Sequence, residues 1–130
     1  MANKVVCIED NPQNSRLIRK MLGSAGYHVI EAGDGASGHE AVLRERPALI
    51  LMDVNLPDID GLELTQRIKA NPELQHIPVV ALTANAMYGD RERCLAAGCN
   101  DYLPKPVTKS MLLSTVASLL GDAAPTVAGS

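Results

Sequence analysis

Strand-like and helix-like segments alternate five times along this chain, and that alternation leaves few folds open. The strand-like runs are KVVCI (4–8), YHVIEA (27–32), ALILMD (48–53), IPVVALT (77–83) and the short DYLP (101–104). Between them, apolar residues return at helical spacing. Leu17, Ile18, Met21, Leu22 and Ala25 mark the first helix; Ala41, Val42 and Leu43 with Gly38 the second; Leu64 and Ile68 the third. Met87, Leu95 and Ala96 mark the fourth, and Leu112, Val116, Leu119 and Leu120 the fifth. This order predicts an α/β, doubly wound (βα)5 domain with a parallel sheet between two helical layers. Strands 1, 3 and 4 are continuously apolar, as central strands covered on both faces are; YHVIEA alternates more and suits an edge.

Local punctuation agrees with those boundaries. Asn11 followed by Pro12 offers a cap with proline at the first helical position, where no donor is lost. Asp34, Asp60 and Thr108 are expected caps for later helices, Gly26, Gly98 and Gly121 fall just past helix ends, and Asn71-Pro72 stops the third helix. The glycine-rich AGDGASG (32–38) lacks the spacing and the Lys-Ser/Thr of a nucleotide loop and reads as a turn. Residues 1–120 read as one domain and 121–130, small and turn-prone, as a disordered tail.

Composition excludes several classes of function. A net charge of −3 with scattered basic residues gives no electrostatic case for nucleic acid or anionic membrane. No apolar run approaches the roughly 20 residues that span a bilayer, and MANKVVCIED is not a secretory leader, so a cytoplasmic protein is expected. Cys7 lies inside an apolar strand, and Cys94 and Cys99 lack zinc-knuckle spacing. His28, His39 and His76 fall away from the sheet's C-terminal edge and read as surface or packing residues, so no Ser-His-Asp arrangement is expected.

In an open parallel sheet the loops leaving the C-terminal ends of the strands share one edge, where ligands bind. Glu9 and Asp10 follow strand 1; Asp53 ends strand 3, with Asn55 two residues on; Thr83 ends strand 4; Lys105 follows strand 5. Taken singly, such residues are ordinarily caps, turn residues or solvated charges. Together, the three carboxylates repel one another unless a cation is present. Mg2+ favours one or two carboxylates with waters and phosphate oxygens, and Lys105 adds a fixed positive charge that a phosphate would want. The inventory matches phosphoryl transfer with a carboxylate able to act as nucleophile.

At these residues the chain resembles the receiver domains of two-component response regulators, over about residues 3–120. The matching pieces are EDN after strand 1, LILMDVNLPDIDGLEL around strand 3, IPVVALTANA around strand 4 and DYLPKPV after strand 5. The resemblance implies a flavodoxin-like fold with sheet order 2-1-3-4-5. It implies that Asp53 accepts a phosphoryl group from a histidine kinase or phosphotransfer protein. Asp10, Asp53 and the Asn55 carbonyl would hold Mg2+, with Glu9 helping through water. Thr83 and Lys105 would contact the phosphoryl oxygens, the Lys105–Pro106 bond would be cis, and Thr83 and Tyr102 would form the switch. Pro104, directly before KP, and Asn85 depart from the general pattern and are expected to tune the phosphoryl lifetime.

The helix-4, strand-5, helix-5 face, with Met87, Tyr88, Tyr102, Val107 and Met111, is the expected surface for a downstream partner; core packing is the competing account of these side chains. A stand-alone signalling switch, monomeric or weakly dimeric, is expected rather than a turnover enzyme; a receiver cut from a hybrid kinase would look similar, and Met1 and the tail argue mildly against that. The alternative is a Mg2+-dependent phosphohydrolase with an aspartate nucleophile. Such enzymes carry a second aspartate two residues on, where this chain has Asn55. A degenerate receiver that binds partners without phosphorylation is a third reading, opposed by the complete set Asp10, Asp53, Thr83 and Lys105.

Overall fold

The computed structural model describes residues 3–84 and 89–121. Its elements are β1 (Lys4–Ile8), α1 (Pro12–Gly23), β2 (His28–Ala32), α2 (Gly35–Glu45), β3 (Leu49–Asp53), α3 (Gly61–Ala70), β4 (Val79–Thr83), α4 (Asp90–Ala96), β5 (Asp101–Pro104) and α5 (Lys109–Leu120). The five strands form one parallel sheet in the order β2-β1-β3-β4-β5, the order the resemblance implied. The chain reverses its direction of travel between β1 and β3, so the loops after those two strands diverge and open a crevice. The expected tail beyond Gly121, and Asn85, Met87 and Tyr88, lie outside the described residues.

The unbroken apolar strands divide their side chains between two layers with a period of two. Val5, Cys7, Leu49, Leu51, Val80 and Leu82 pack with Ile18 and Leu22 of α1 and Leu112 and Val116 of α5. Val6, Ile8, Ile50, Met52, Val79 and Ala81 pack with Val42 of α2, Leu64 and Ile68 of α3 and Cys94 of α4. β3 and β4 are buried along their whole length, whereas β2 keeps His28 and Glu31 exposed, as an edge strand does.

Each expected cap forms. Asn11 accepts from Gln13 and Asn14, Asp34 from Ser37, Asp60 from Leu62 and Thr108 from Met111. Three expected core residues stay largely exposed, Leu17 at 49%, Leu43 at 43% and Leu95 at 42%. Each stands next to the buried stripe, about 100° round the helix from Ile18, Val42 and Cys94. Ala96 is exposed as well, and Ala97 takes the buried place. The fourth strand pairs from Val79 rather than Ile77, because Pro78 has no N–H to give to the ladder. α2 ends at Arg46, in the left-handed region at φ 46°, a position usually taken by glycine.

Two glycines separate a packing constraint from a neutral position. A Cβ on Gly61 would run into the backbone carbonyl of Asp53 and come 3.0 Å from the Val54 Cα, so α3 lies directly against the end of β3. A Cβ on Gly23, at the end of α1, meets nothing within 4 Å. Gly61→Ala is therefore expected to lower stability by roughly 1–3 kcal/mol, and Gly23→Ala to leave it unchanged or raise it by up to about 1 kcal/mol. Urea denaturation of the two variants checks this; equal effects would contradict the packing argument.

Candidate functional site

The C-terminal ends of β1 and β3 deliver Glu9, Asp10 and Asp53 to one point. One carboxylate oxygen from each lies within 4.8 Å of the others. Asp53 is 1% exposed and Glu9 2%, whereas Asp10 is exposed on the rim. Parity explains the two buried ones: Asp53 continues the series Leu49, Leu51, and Glu9 the series Val5, Cys7, so both lean toward the α1/α5 layer.

Lys105 reaches in from the loop after β5. Its Nζ lies 3.0 Å from Glu9 Oε1 and 3.1 Å from Asp53 Oδ2, so one ammonium serves two buried carboxylates. The Lys105–Pro106 peptide is cis, and the Lys105 N–H donates to the Thr83 carbonyl at 2.8 Å, which ties this loop to the end of β4. The second oxygen of each carboxylate meets backbone: the Asn55 N–H donates to Asp53 Oδ1 at 2.9 Å, and the Asn11 N–H to Glu9 Oε2 at 3.1 Å. The contact of Glu9 Oε1 with Lys105 is an ion pair without hydrogen-bond angles.

The loop after β3 is held in several places. Asn55 forms an isolated antiparallel bridge with Asp60, and the Gly61 N–H donates to the Val54 carbonyl at 2.9 Å. Asp58, which sequence reasoning passed over, accepts from the Gly35 and Ala36 N–H groups at 2.7 and 3.0 Å. It caps α2 from 22 residues away in sequence, and no local pattern announces a cap that comes from another loop.

Thr83 and Tyr102 lie on the other side of the sheet. Thr83 shares the parity of Val79 and Ala81, and Tyr102, in register with Ala81, packs against the same α2/α3/α4 layer. The Thr83 hydroxyl donates to Asp90 Oδ2 at the start of α4, and Asp90 Oδ1 accepts from Arg93 Nη1 at 2.8 Å. Asp90 was also missed, because an acidic residue opening a charged helix reads as an ordinary first-turn residue. On the expected partner face, Tyr102 and Val107 are half-buried and Met111 is 40% exposed.

The cluster is short of positive charge, with three carboxylates against one ammonium. Burial, and then the facing Asp53 carboxylate, push Glu9 up to about 7. Burial pulls the Lys105 ammonium down, but its bonds to Glu9 and Asp53 outweigh that and hold its pKa above the usual lysine value. This donor set, hard oxygens with one oxygen of Glu9 poorly satisfied, fits a small divalent cation. Because the folded state raises the Glu9 pKa, it binds the proton more tightly than the unfolded chain does. Stability from this group is then present below about 4.5 and falls as pH rises toward about 7. In metal-free buffer, Glu9→Gln is expected to stabilise the protein by on the order of 1–3 kcal/mol at alkaline pH and by far less in mild acid. Denaturation curves across pH check this; a pH-independent difference would contradict it.

Comparison with known proteins places this geometry in a family. Residues 5–117 match the family model described as the response regulator receiver domain. The chain is 42% identical over 123 residues, 95% of its length and 100% of the relative's, to the polar-differentiation response regulator DivK of Brucella anthropi. Among solved structures, it is similar to the receiver domain of the sensor histidine kinase PA1611 of Pseudomonas aeruginosa PAO1, with a magnesium ion coordinated in the active site cleft. That match has 41% identity and a TM-score of 0.86, covering 94% of this chain and 100% of that one. The chemotaxis response regulator CheY4 of Vibrio cholerae superposes with a TM-score of 0.87 at 26% identity, covering 92% of this chain and 100% of that one. The chain belongs to the response regulator receiver domain family of two-component signalling.

Proposed function

We propose that the protein is a phosphorylation-controlled switch whose Asp53 accepts a phosphoryl group from a phosphohistidine on a histidine kinase or phosphotransfer protein. The observation that carries this reading is Asp53 itself, a buried carboxylate at the end of a central strand, 3.1 Å from Lys105 and grouped with Glu9 and Asp10. An Asp53 oxygen attacks phosphorus as the bond from phosphorus to the donor's imidazole nitrogen breaks. The departing electron pair stays on the imidazole, and an acyl phosphate forms. Asp10, Asp53 and the Asn55 carbonyl would hold Mg2+, with Glu9 acting through water; the magnesium in the PA1611 receiver supports this. When bound, the ion supplies positive charge that offsets carboxylate repulsion and the charge of the phosphoryl oxygens.

Lys105 then moves its ion pair from the carboxylate to the new phosphoryl oxygens, which carry nearly two negative charges. Thr83 would turn toward the same group, and Tyr102, in the same layer, would settle into the space released. The readout surface is the face of α4, β5 and α5, where Leu95 and Met111 stand exposed. The donor would approach beside Lys105, where Leu17, Met21, Pro106 and Val107 line a small apolar groove. Among the described residues no helix is long and apolar enough to cross a membrane. The reading is completed by a cytoplasmic location and a monomeric or weakly dimeric state.

Incubation with Mg2+ and acetyl phosphate, followed by intact-mass measurement, tests this. One labile phosphoryl adduct is expected, absent in Asp53→Asn and formed about tenfold or more slowly in Asp10→Ala and Lys105→Ala. Sustained release of phosphate from generic phosphomonoesters that survives Asp53→Asn would instead support a phosphohydrolase and overturn the switch.

A further inference from the structure

We propose that Asp90 holds the Thr83 hydroxyl in the resting state, and that this hold sets how readily a phosphoryl group on Asp53 switches the domain; the inference rests on the roles given above to Asp53 and Thr83. Both partners are buried, Thr83 at 1% exposure and Asp90 at 6%, and the hydroxyl donates to Asp90 Oδ2. A hydroxyl carries a single proton, so Thr83 cannot donate to Asp90 and to a phosphoryl oxygen at once. The two anionic acceptors compete for it. Each offers a charge-assisted bond, about twice as strong as a neutral one.

The surroundings show why Asp90 wins at rest. Strand parity turns Thr83 toward α4, away from the layer into which Asp53 and Glu9 lean. Arg93, one turn along α4 and with a side chain 56% exposed, binds the other oxygen of Asp90 at 2.8 Å. The ion pair with Arg93 therefore gives Asp90 a partner that does not depend on Thr83. The residue before α4, Gly89, has no side chain to cap the helix, and Asp90 Oδ2 at its first position accepts from the threonine. Phosphorylation must draw the hydroxyl across the end of β4 and out of this bond, so the switch equilibrium contains the Asp90–Thr83 interaction as an opposing contribution.

Beryllofluoride, a non-covalent stand-in for the phosphoryl group on an aspartate, gives the test. It is titrated against the full chain in saturating Mg2+ while backbone amide resonances are followed. Asp90→Ala is expected to lower the half-saturating concentration about fivefold or more, because the competing acceptor is gone. Asp90→Asn, which keeps a weaker neutral acceptor of the same shape, is expected to lie between Asp90→Ala and the parent. In a Thr83→Val background, Asp90→Ala should give no tightening, since the contested hydroxyl is absent. A purely structural Asp90 would change binding equally in both backgrounds, and that result would overturn the proposal. So would unchanged or weakened binding in Asp90→Asn, the variant that decides the matter if Asp90→Ala does not fold. If the parent protein shows no beryllofluoride site that Asp53→Asn removes, the role assigned to Asp53 fails, and the Asp90 proposal fails with it.

Discussion

One ammonium, that of Lys105, stands between two buried carboxylates, and the geometry of the site depends on that sharing. Without that ammonium, two carboxylates would face each other with no counter-charge at the end of a sheet whose interior is Leu, Ile, Val and Met. Lys105 is in turn held by its backbone bond to Thr83, so the loop after β5 is fixed to the end of β4. Three carboxylates face this single lysine, and burial, followed by the facing Asp53 carboxylate, pushes Glu9 up to about 7. The resting site is therefore both assembled and electrostatically incomplete. In the proposed function that incompleteness is the affinity for Mg2+ and, through it, for a phosphoryl group.

In the proposed function, the sheet also separates chemistry from response. Asp53 and Glu9 continue the strand faces that look toward α1 and α5, whereas Thr83 and Tyr102 look toward α3 and α4. A signal carried from the first group to the second needs a residue that can act on either side, and Thr83, at the last position of β4, is placed to do so. Its hydroxyl is engaged on the α4 side, which would give the proposed switch a defined starting state.

Most of the fold was legible because its signals are local. Five apolar runs, the caps at Asn11, Asp34, Asp60 and Thr108, and the left-handed glycines at 26, 98 and 121 each depend on a few neighbouring residues. The convergence of Glu9, Asp10, Asp53 and Lys105 followed from one topological rule, that strand ends share an edge. What stayed hidden depends on contacts between distant segments. Asp58 caps a helix that starts 23 residues earlier, and Asp90 binds a threonine seven residues back through the fold rather than along a helix. The burial of Leu17 and Leu95 was misjudged for a related reason, since a one-residue shift of an apolar stripe becomes visible only when the packing partner is placed.

The central claim, a carboxylate cluster that one ammonium only partly offsets, is tested most directly at Glu9. Its side-chain carboxyl can be followed by carbon NMR as a function of pH, in metal-free buffer and again in saturating Mg2+. The account predicts a titration near 7 without the ion, well above the ordinary 4.5, and a downward shift when Mg2+ is bound. An ordinary Glu9 titration in metal-free buffer, unmoved by Mg2+, would contradict it.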